Sequence, residues 1–247
     1  MSGHSKWATT KRQKAVTDAK RGNIFTKISN VISITAREKG GDPEKNFALR
    51  TAIDKARAAN MPKDNIERAI KRGTGELEGE IIEELIYEGI GPNKSQFIVK
   101  CLTGSKNRSA AAVRHIFTKY GGSLGSVSWN FEKKGIIRIA NDELEKAPLI
   151  KGVGGIDNFE LELIDMGVED ILKEEEGITI YARIEDLQKI KQYLDSKNIS
   201  VESAEIEYVA KEKTEIPGEK KEQLKKFIEE LEDDEDVADY YTNIINI

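Results

Sequence analysis

Apolar residues at Ile24, Ile28, Val31 and Ile32, with Thr35 on the same stripe and Phe25 beside it, recur at helical spacing until Gly40-Gly41 stops the run. The pattern predicts a helix with one buried face. A second helix is predicted from Pro43 to Asn60. Asp42 can cap its free N–H groups, Pro43 suits the first helical position, and Glu44 meets the positive end of the dipole. Ala48, Ala52, Ala56 and Ala59 give this helix a narrow face for close packing. A third helix opens at Pro62, turns Ile66, Ala69 and Ile70 inward, and is stopped by Gly73. On its surface Asp64 can pair with Arg68, and Glu67 with Lys71.

Beyond a linker at Thr74–Gly79 the periodicity changes. Strand-like runs cover Ile81–Glu88 and Gln96–Thr103, with a turn at Gly89-Ile90-Gly91-Pro92. A helix carries Val113, Ile116, Phe117 and Tyr120 to Gly121-Gly122, and Ser126–Phe131 reads as a strand. From Gly135 to Ser203 the order is strand (Ile136–Ala140), helix (Asp157–Met166), strand (Val168–Lys173), strand (Ile178–Ala182), helix (Ile184–Ser196) and strand (Ser200–Glu207). That βαββαβ order is ferredoxin-like. A closing amphipathic helix, Gly218–Asp233, and a short strand, Val237–Tyr241, have no partner of their own, so they are expected to return to the middle domain. The expected fold is α+β in three parts. These are a helical domain at 1–75, an α/β domain at 76–134 completed by 205–247, and an inserted ferredoxin-like domain at 135–204.

Charge sharpens this division. The net charge is −5, but the first 73 residues hold 17 Lys and Arg against 7 Asp and Glu. The head is therefore +10 and the remainder −15, the asymmetry of a chain that meets a polyanion at one end. Within Gly3–Gly22, Lys6, Lys11, Arg12, Lys14, Lys20 and Arg21 face one acid, Asp18, and the only large apolar group is Trp7. Such a segment cannot drive its own burial. Cations at this spacing with an interleaved indole suit a phosphate backbone with an exposed base. A merely solvated terminus has the same composition, and Trp7 could instead fold back on the helices. His4, Lys27, Arg50, Lys55, Arg57, Lys63, Arg68, Lys71 and Arg72 extend the candidate nucleic-acid surface, although a solvated helix face explains any one of them.

Catalytic chemistry finds little support. Cys101 alternates with Val99 in a strand, as core packing does, and His115 sits between Val113 and Ile116, where a structural imidazole is expected. One cysteine and two histidines give no zinc spacing. Gly152-Val153-Gly154-Gly155 lacks the Lys-Ser/Thr of a phosphate loop, and the acidic runs Glu174–Glu176 and Asp233–Asp236 lack calcium-loop spacing and read as solvated charge. Lys134–Ile139 carries aliphatics where an RNA-recognition sheet carries rings. No apolar run approaches the roughly 20 residues of a membrane span. Nothing at the start reads as a secretory signal, so a cytoplasmic location is expected. No enzyme activity, metal, cofactor or small-molecule substrate is expected.

Several blocks resemble the YebC family. They include GHSKW at Gly3–Trp7, FTK at Phe25–Lys27, Ala52–Gly73, YEG at Tyr87–Gly89, Asn107–Phe117, SVSWNF at Ser126–Phe131 and YTN at Tyr241–Asn243. The resemblance spans the chain. It implies a helical N-terminal domain and two α/β domains, one inserted into the other. It also implies a non-catalytic DNA-binding regulator of transcription, or alternatively a ribosome-associated translation factor that binds ribosomal RNA and relieves stalling at sequences such as proline runs. The acidic domains would contact proteins. Nothing here resembles a helix-turn-helix with a marked recognition helix, and Asn and Gln are sparse in the basic part, which points to backbone or shape recognition. Three departures from the family pattern stand out: Phe47 where Pro is common, Asn93-Lys94 in place of glycines, and a shortened stretch between Leu124 and Ser126.

Overall fold

The computed structural model describes residues 18–147 and 155–245, apart from the side chains of 18–21 and 156–157. It separates into two units. One is Glu132–Val209; the other combines the described residues through Phe131 with those from Ala210 onward.

The larger unit begins with α1 (Asp18–Lys39), α2 (Phe47–Ala58) and α3 (Lys63–Thr74). Helix α1 thus starts before Gly22, four residues inside the stretch read as a solvated arm. Ile28, Ile32 and Ala36 form one buried core with Leu49, Ala52, Ile53 and Ala56 of α2, Met61, and Ile66 and Ala69 of α3. Each fully buried Ile or Leu contributes roughly 1.5–3 kcal/mol relative to exposure. The opposite side of α1 is also covered, since Ile34 packs with Ile82 and Leu102. Ile24, read as part of the stripe, is instead exposed.

Helix α2 starts four residues later than predicted. Asn46, not Asp42, is its cap: the Asn46 carboxamide oxygen accepts from the Leu49 N–H at 3.1 Å. Its NH2 donates to the carbonyls of Thr35 and Gly40, both at 2.8 Å. Asn46 is fully buried, so one side chain closes α1, opens α2 and leaves no polar atom unpaired. Asp42 only accepts from the Glu44 N–H in a local turn. Phe47 therefore occupies the first helical position, where proline is best tolerated, so that departure from the family pattern leaves the helix start intact. The buried face is Leu49, Ala52, Ile53 and Ala56, whereas Ala48 is exposed.

Gly73 does not stop α3; Gly75 does, in a left-handed conformation at φ 81°. Gly73 lies inside the helix, where a Cβ would collide with the Ser33 carbonyl and sit 2.8 Å from the Ala36 Cβ. Its role is to let α3 approach α1.

Strands β1 (Glu83–Ile90), β2 (Gln96–Thr103), β3 (Ser123–Leu124) and the C-terminal β8 (Val237–Thr242) build an antiparallel sheet in the order β3-β1-β2-β8. The C-terminal strand thus pairs with β2, placing Val99 beside Tyr240. Helices α4 (Lys106–Lys119) and α8 (Gly218–Asp233) cover one face with Val113, Phe117, Leu224, Phe227 and Leu231. Phe227 meets Phe97 and Phe117 edge-on at ring separations of 4.9 and 5.0 Å. Cys101 lies in this core, where burial pushes its thiol up to about 12. His115 is exposed on α4 and not packed as expected.

The segment Ser126–Asn130 is not a strand. Glu88 captures its backbone: one carboxylate oxygen accepts from the N–H groups of Val127 (2.7 Å) and Ser128 (2.8 Å) and from the Ser126 hydroxyl (3.2 Å). A one-turn helix at Ser128–Asn130 follows, and the next strand, β4 (Phe131–Ala140), starts five residues earlier than the predicted Ile136.

The second unit contains most of β4, the short α5 (Asn141–Lys146), which sequence periodicity missed, and α6 (Gly155–Asp165). It continues with β5 (Val168–Lys173), β6 (Gly177–Ala182), α7 (Leu187–Ser196) and β7 (Ser203–Ala210). The last strand is three residues later than predicted. The sheet order β5-β6-β4-β7 is ferredoxin-like, with β6 antiparallel to both β4 and β5. Phe159 and Leu163 of α6 and Leu187, Ile190 and Leu194 of α7 are buried together with Ile137, Ile139 and Ile180 of the strands. Arg138 on β4 and Glu207 on β7 form a two-pronged ion pair with only 15% and 14% of their side chains exposed.

Candidate nucleic-acid interface

The predicted cations separate into two sets. Helices α2 and α3 are joined by residues 59–62. Asn60 takes a left-handed conformation (φ 58°) and Met61 is buried as an anchor, its N–H donating to the Ala56 carbonyl at 2.9 Å. This connection brings Lys55 and Arg57, in the last turn of α2, to the start of α3 at Lys63. Lys63, Glu67 and Lys71 then follow at i, i+4 and i+8, flanked by Asp64 and Arg68. All five are exposed. Arg57 pairs with Asp54 at 3.3 Å and Lys63 with Glu67 at 3.4 Å, but the two cationic side chains are 72% and 87% exposed. Pairs this open are weak, and a phosphate can compete for their cations.

The second set is used internally. The Lys27 ammonium donates to the Glu232 carbonyl at 2.5 Å in the last turn of α8, and Asn23 donates to Asp233 beside it. Burial lowers the Lys27 pKa, opposed by attraction to Asp234, Glu232 and Asp233. Arg72 donates through Nε to the Ser33 hydroxyl at 3.0 Å and through Nη2 to the Asn30 carboxamide oxygen at 3.2 Å, and burial lowers its pKa. Arg50 is half-buried and donates to the Glu44 carbonyl at 3.4 Å, bracing the turn before α2. Lys20 and Arg21 belong to the first turns of α1, and their side chains lie outside the described residues. His4, Lys6, Trp7, Lys11, Arg12 and Lys14 also lie outside them.

The acidic run after α8 is more than solvated charge. Arg108 grips the Asp236 carboxylate with two bonds of 2.9 and 3.2 Å, and Asp236 is buried. Asp234 accepts from the Asp236 and Val237 N–H groups. Periodicity also failed to single out Trp129, which is 60% exposed. Its signal was an aromatic residue inside the polar string Ser126–Asn130.

Among the described residues no group of three or more His, Cys, Asp and Glu comes together to hold a metal, and no helix is long and apolar enough to cross a membrane. These features define an α+β protein whose helical end presents exposed cations on two helices that both pack against α1. Residues 5–76 match the TACO1/YebC protein N-terminal domain and residues 82–244 match the TACO1/YebC second and third domain, so the chain belongs to the YebC family. It is 45% identical to a probable transcriptional regulatory protein of Thermotoga petrophila, over 98% of this chain and 93% of that one. A probable transcriptional regulatory protein of Persephonella marina is also 45% identical, over 98% and 95%. The crystal structure of the conserved hypothetical protein Aq1575 from Aquifex aeolicus superposes with a TM-score of 0.82 at 38% identity, covering 97% and 96% of the two chains.

Proposed function

We propose that this chain is a non-catalytic, cytoplasmic, DNA-binding regulator of transcription. Its basic N-terminal stretch and helical region hold phosphates, while the acidic remainder is left to contact other proteins. The supporting observation is the exposed cationic set at Lys55, Arg57, Lys63, Arg68 and Lys71, retained on α2 and α3 although Lys27 and Arg72 are withdrawn into internal bonds. The names of the relatives agree with this reading. Asn60 is the one exposed amide among these cations, so recognition runs mainly through phosphates and groove shape rather than base edges.

The test is the salt dependence of binding to duplex DNA. Each lost phosphate contact lowers the log–log slope by about 0.9, so replacing Lys63, Arg68 and Lys71 by Gln should flatten the slope by between about 1 and 3. An unchanged slope would remove α3 from the interface. Comigration of the intact protein with ribosomes at physiological salt, with no preference among promoter fragments, would move the target to ribosomal RNA.

A further inference from the structure

Trp129 is a large apolar side chain held out in water by a rigid frame. Apart from the exposed Ser128, the residues around it are buried: Val127 is 1% exposed, Asn130 2% and Phe131 6%, against 60% for the indole. The backbone before it is fixed by the Glu88 carboxylate through Val127 and Ser128. The backbone after it is fixed by Asn130, whose NH2 donates to Gln96 (2.7 Å) and the Glu212 carbonyl (3.0 Å), and whose carboxamide oxygen accepts from the Glu212 N–H (2.7 Å). A loop that needed the indole only for packing would fold it inward, because exposing it forfeits the largest single burial the segment offers. A preorganised exposed aromatic ring instead loses little conformational entropy when it meets a partner.

We propose that Trp129 is a stacking platform for an unpaired nucleobase, a second contact apart from the phosphate-binding helices that rests on the nucleic-acid reading above. The choice of partner follows from the charge beside the ring. The Lys211 ammonium is tied to the Trp129 carbonyl at 3.2 Å, and Lys213 is exposed two residues on. The Glu88 carboxylate on the other side is already committed to the Val127 and Ser128 N–H groups, which leaves the two lysines as the cations open to a phosphate beside Glu212 and Glu215. A base on the indole with its phosphate toward Lys211 satisfies both groups, whereas an apolar protein partner would leave the ammonium desolvated. Duplex DNA keeps its bases stacked internally and offers this ring nothing. Looped or single-stranded nucleic acid does.

The experiment measures binding of the full chain, as wild type, Trp129→Ala and Trp129→Phe, to short labelled single-stranded RNA, single-stranded DNA and duplex DNA. Loss of the ring should weaken single-strand binding by about 5- to 100-fold and leave duplex binding unchanged, while Phe preserves most of the affinity. The two single strands distinguish RNA from DNA as the source of the base. Equal losses on duplex and single strands, or no loss on either, would overturn the stacking role while leaving the phosphate-binding reading intact. Wild-type protein that binds none of the three would sink both. Unchanged melting temperature in Trp129→Ala, expected for a side chain this exposed, ties any loss to the contact itself.

Discussion

The Lys27 ammonium and the Glu232 carbonyl, 205 residues apart in sequence, meet at 2.5 Å. The lysine thereby meets the unpaired carbonyls and negative dipole end of α8, joining the helical region to the C-terminal segment. Because burial lowers its folded pKa below the unfolded value, the folded state binds its proton less tightly. Stability therefore rises as pH climbs from the lowered value through the ordinary lysine range, and this gain is lost again as pH falls. Lys27→Met should remove that alkaline rise in denaturant melts taken at stepped pH. The same variant should leave the salt slope of nucleic-acid binding as it was, since this ammonium already has its partner.

Gly73 and Gly22 make a matched pair. Both are helical, but a Cβ at Gly73 meets the Ser33 carbonyl and Ala36, while a Cβ at Gly22 meets nothing within 4 Å. Gly73→Ala should cost about 1–3 kcal/mol by forcing α1 and α3 apart. Gly22→Ala should stabilise by up to about 1 kcal/mol through helix propensity alone. Urea unfolding of the two variants reads opposite signs from the same substitution.

In the turn between β1 and β2, Asn93 and Lys94 both hold left-handed conformations, at φ 58° and 63°. Asparagine tolerates this region, whereas for lysine it costs about 1–2 kcal/mol. Replacing Lys94 by Gly, the residue of the family pattern, should raise stability by about 1 kcal/mol. Asn93→Gly should gain less, because the Asn93 side chain also donates to the Lys220 carbonyl. Thermal melts of both variants provide the comparison.

Glu88 supports the Trp129 loop through an ionised carboxylate. Burial alone would raise its pKa, but the N–H groups of Ser128 and Val127 outweigh that and hold it below the usual value. The stability it supplies is therefore present above the ordinary glutamate pKa and disappears as pH falls through the lower folded value. Glu88→Gln should cost about 1 kcal/mol at neutral pH, and the gap to wild type should close in acid as the native carboxylate is protonated. A gap that stayed constant with pH would mean that the charge of Glu88 is not what holds the loop.

Elements governed by local periodicity were legible in the sequence: β2, β5 and α8 fall on their predicted bounds, and the ferredoxin-like order emerges from strand and helix spacing alone. The errors arose where distant groups decide. Asp42-Pro43 is as good a helix start as Asn46-Phe47 until Thr35 and Gly40 supply carbonyls that only Asn46 can reach. Val127, Trp129 and Phe131 have strand propensity, but Glu88 from another strand takes the intervening N–H groups. Lys27 and Arg72 look like any surface cation because Glu232, Asn30 and Ser33 are remote in sequence. Charge counting located the basic end; it did not separate bonded cations from exposed ones.

The Lys211 N–H donates to the Asn130 carbonyl at 2.8 Å, so the polypeptide leaves the larger unit and re-enters it at nearly one point. An insertion whose ends meet in this way adds little closure entropy to its host, however many residues it carries. The host sheet carries an excursion of some eighty residues whose closure cost grows by only about 0.6 kcal/mol per doubling of length, and the register of β8 with β2 is set by residues outside it.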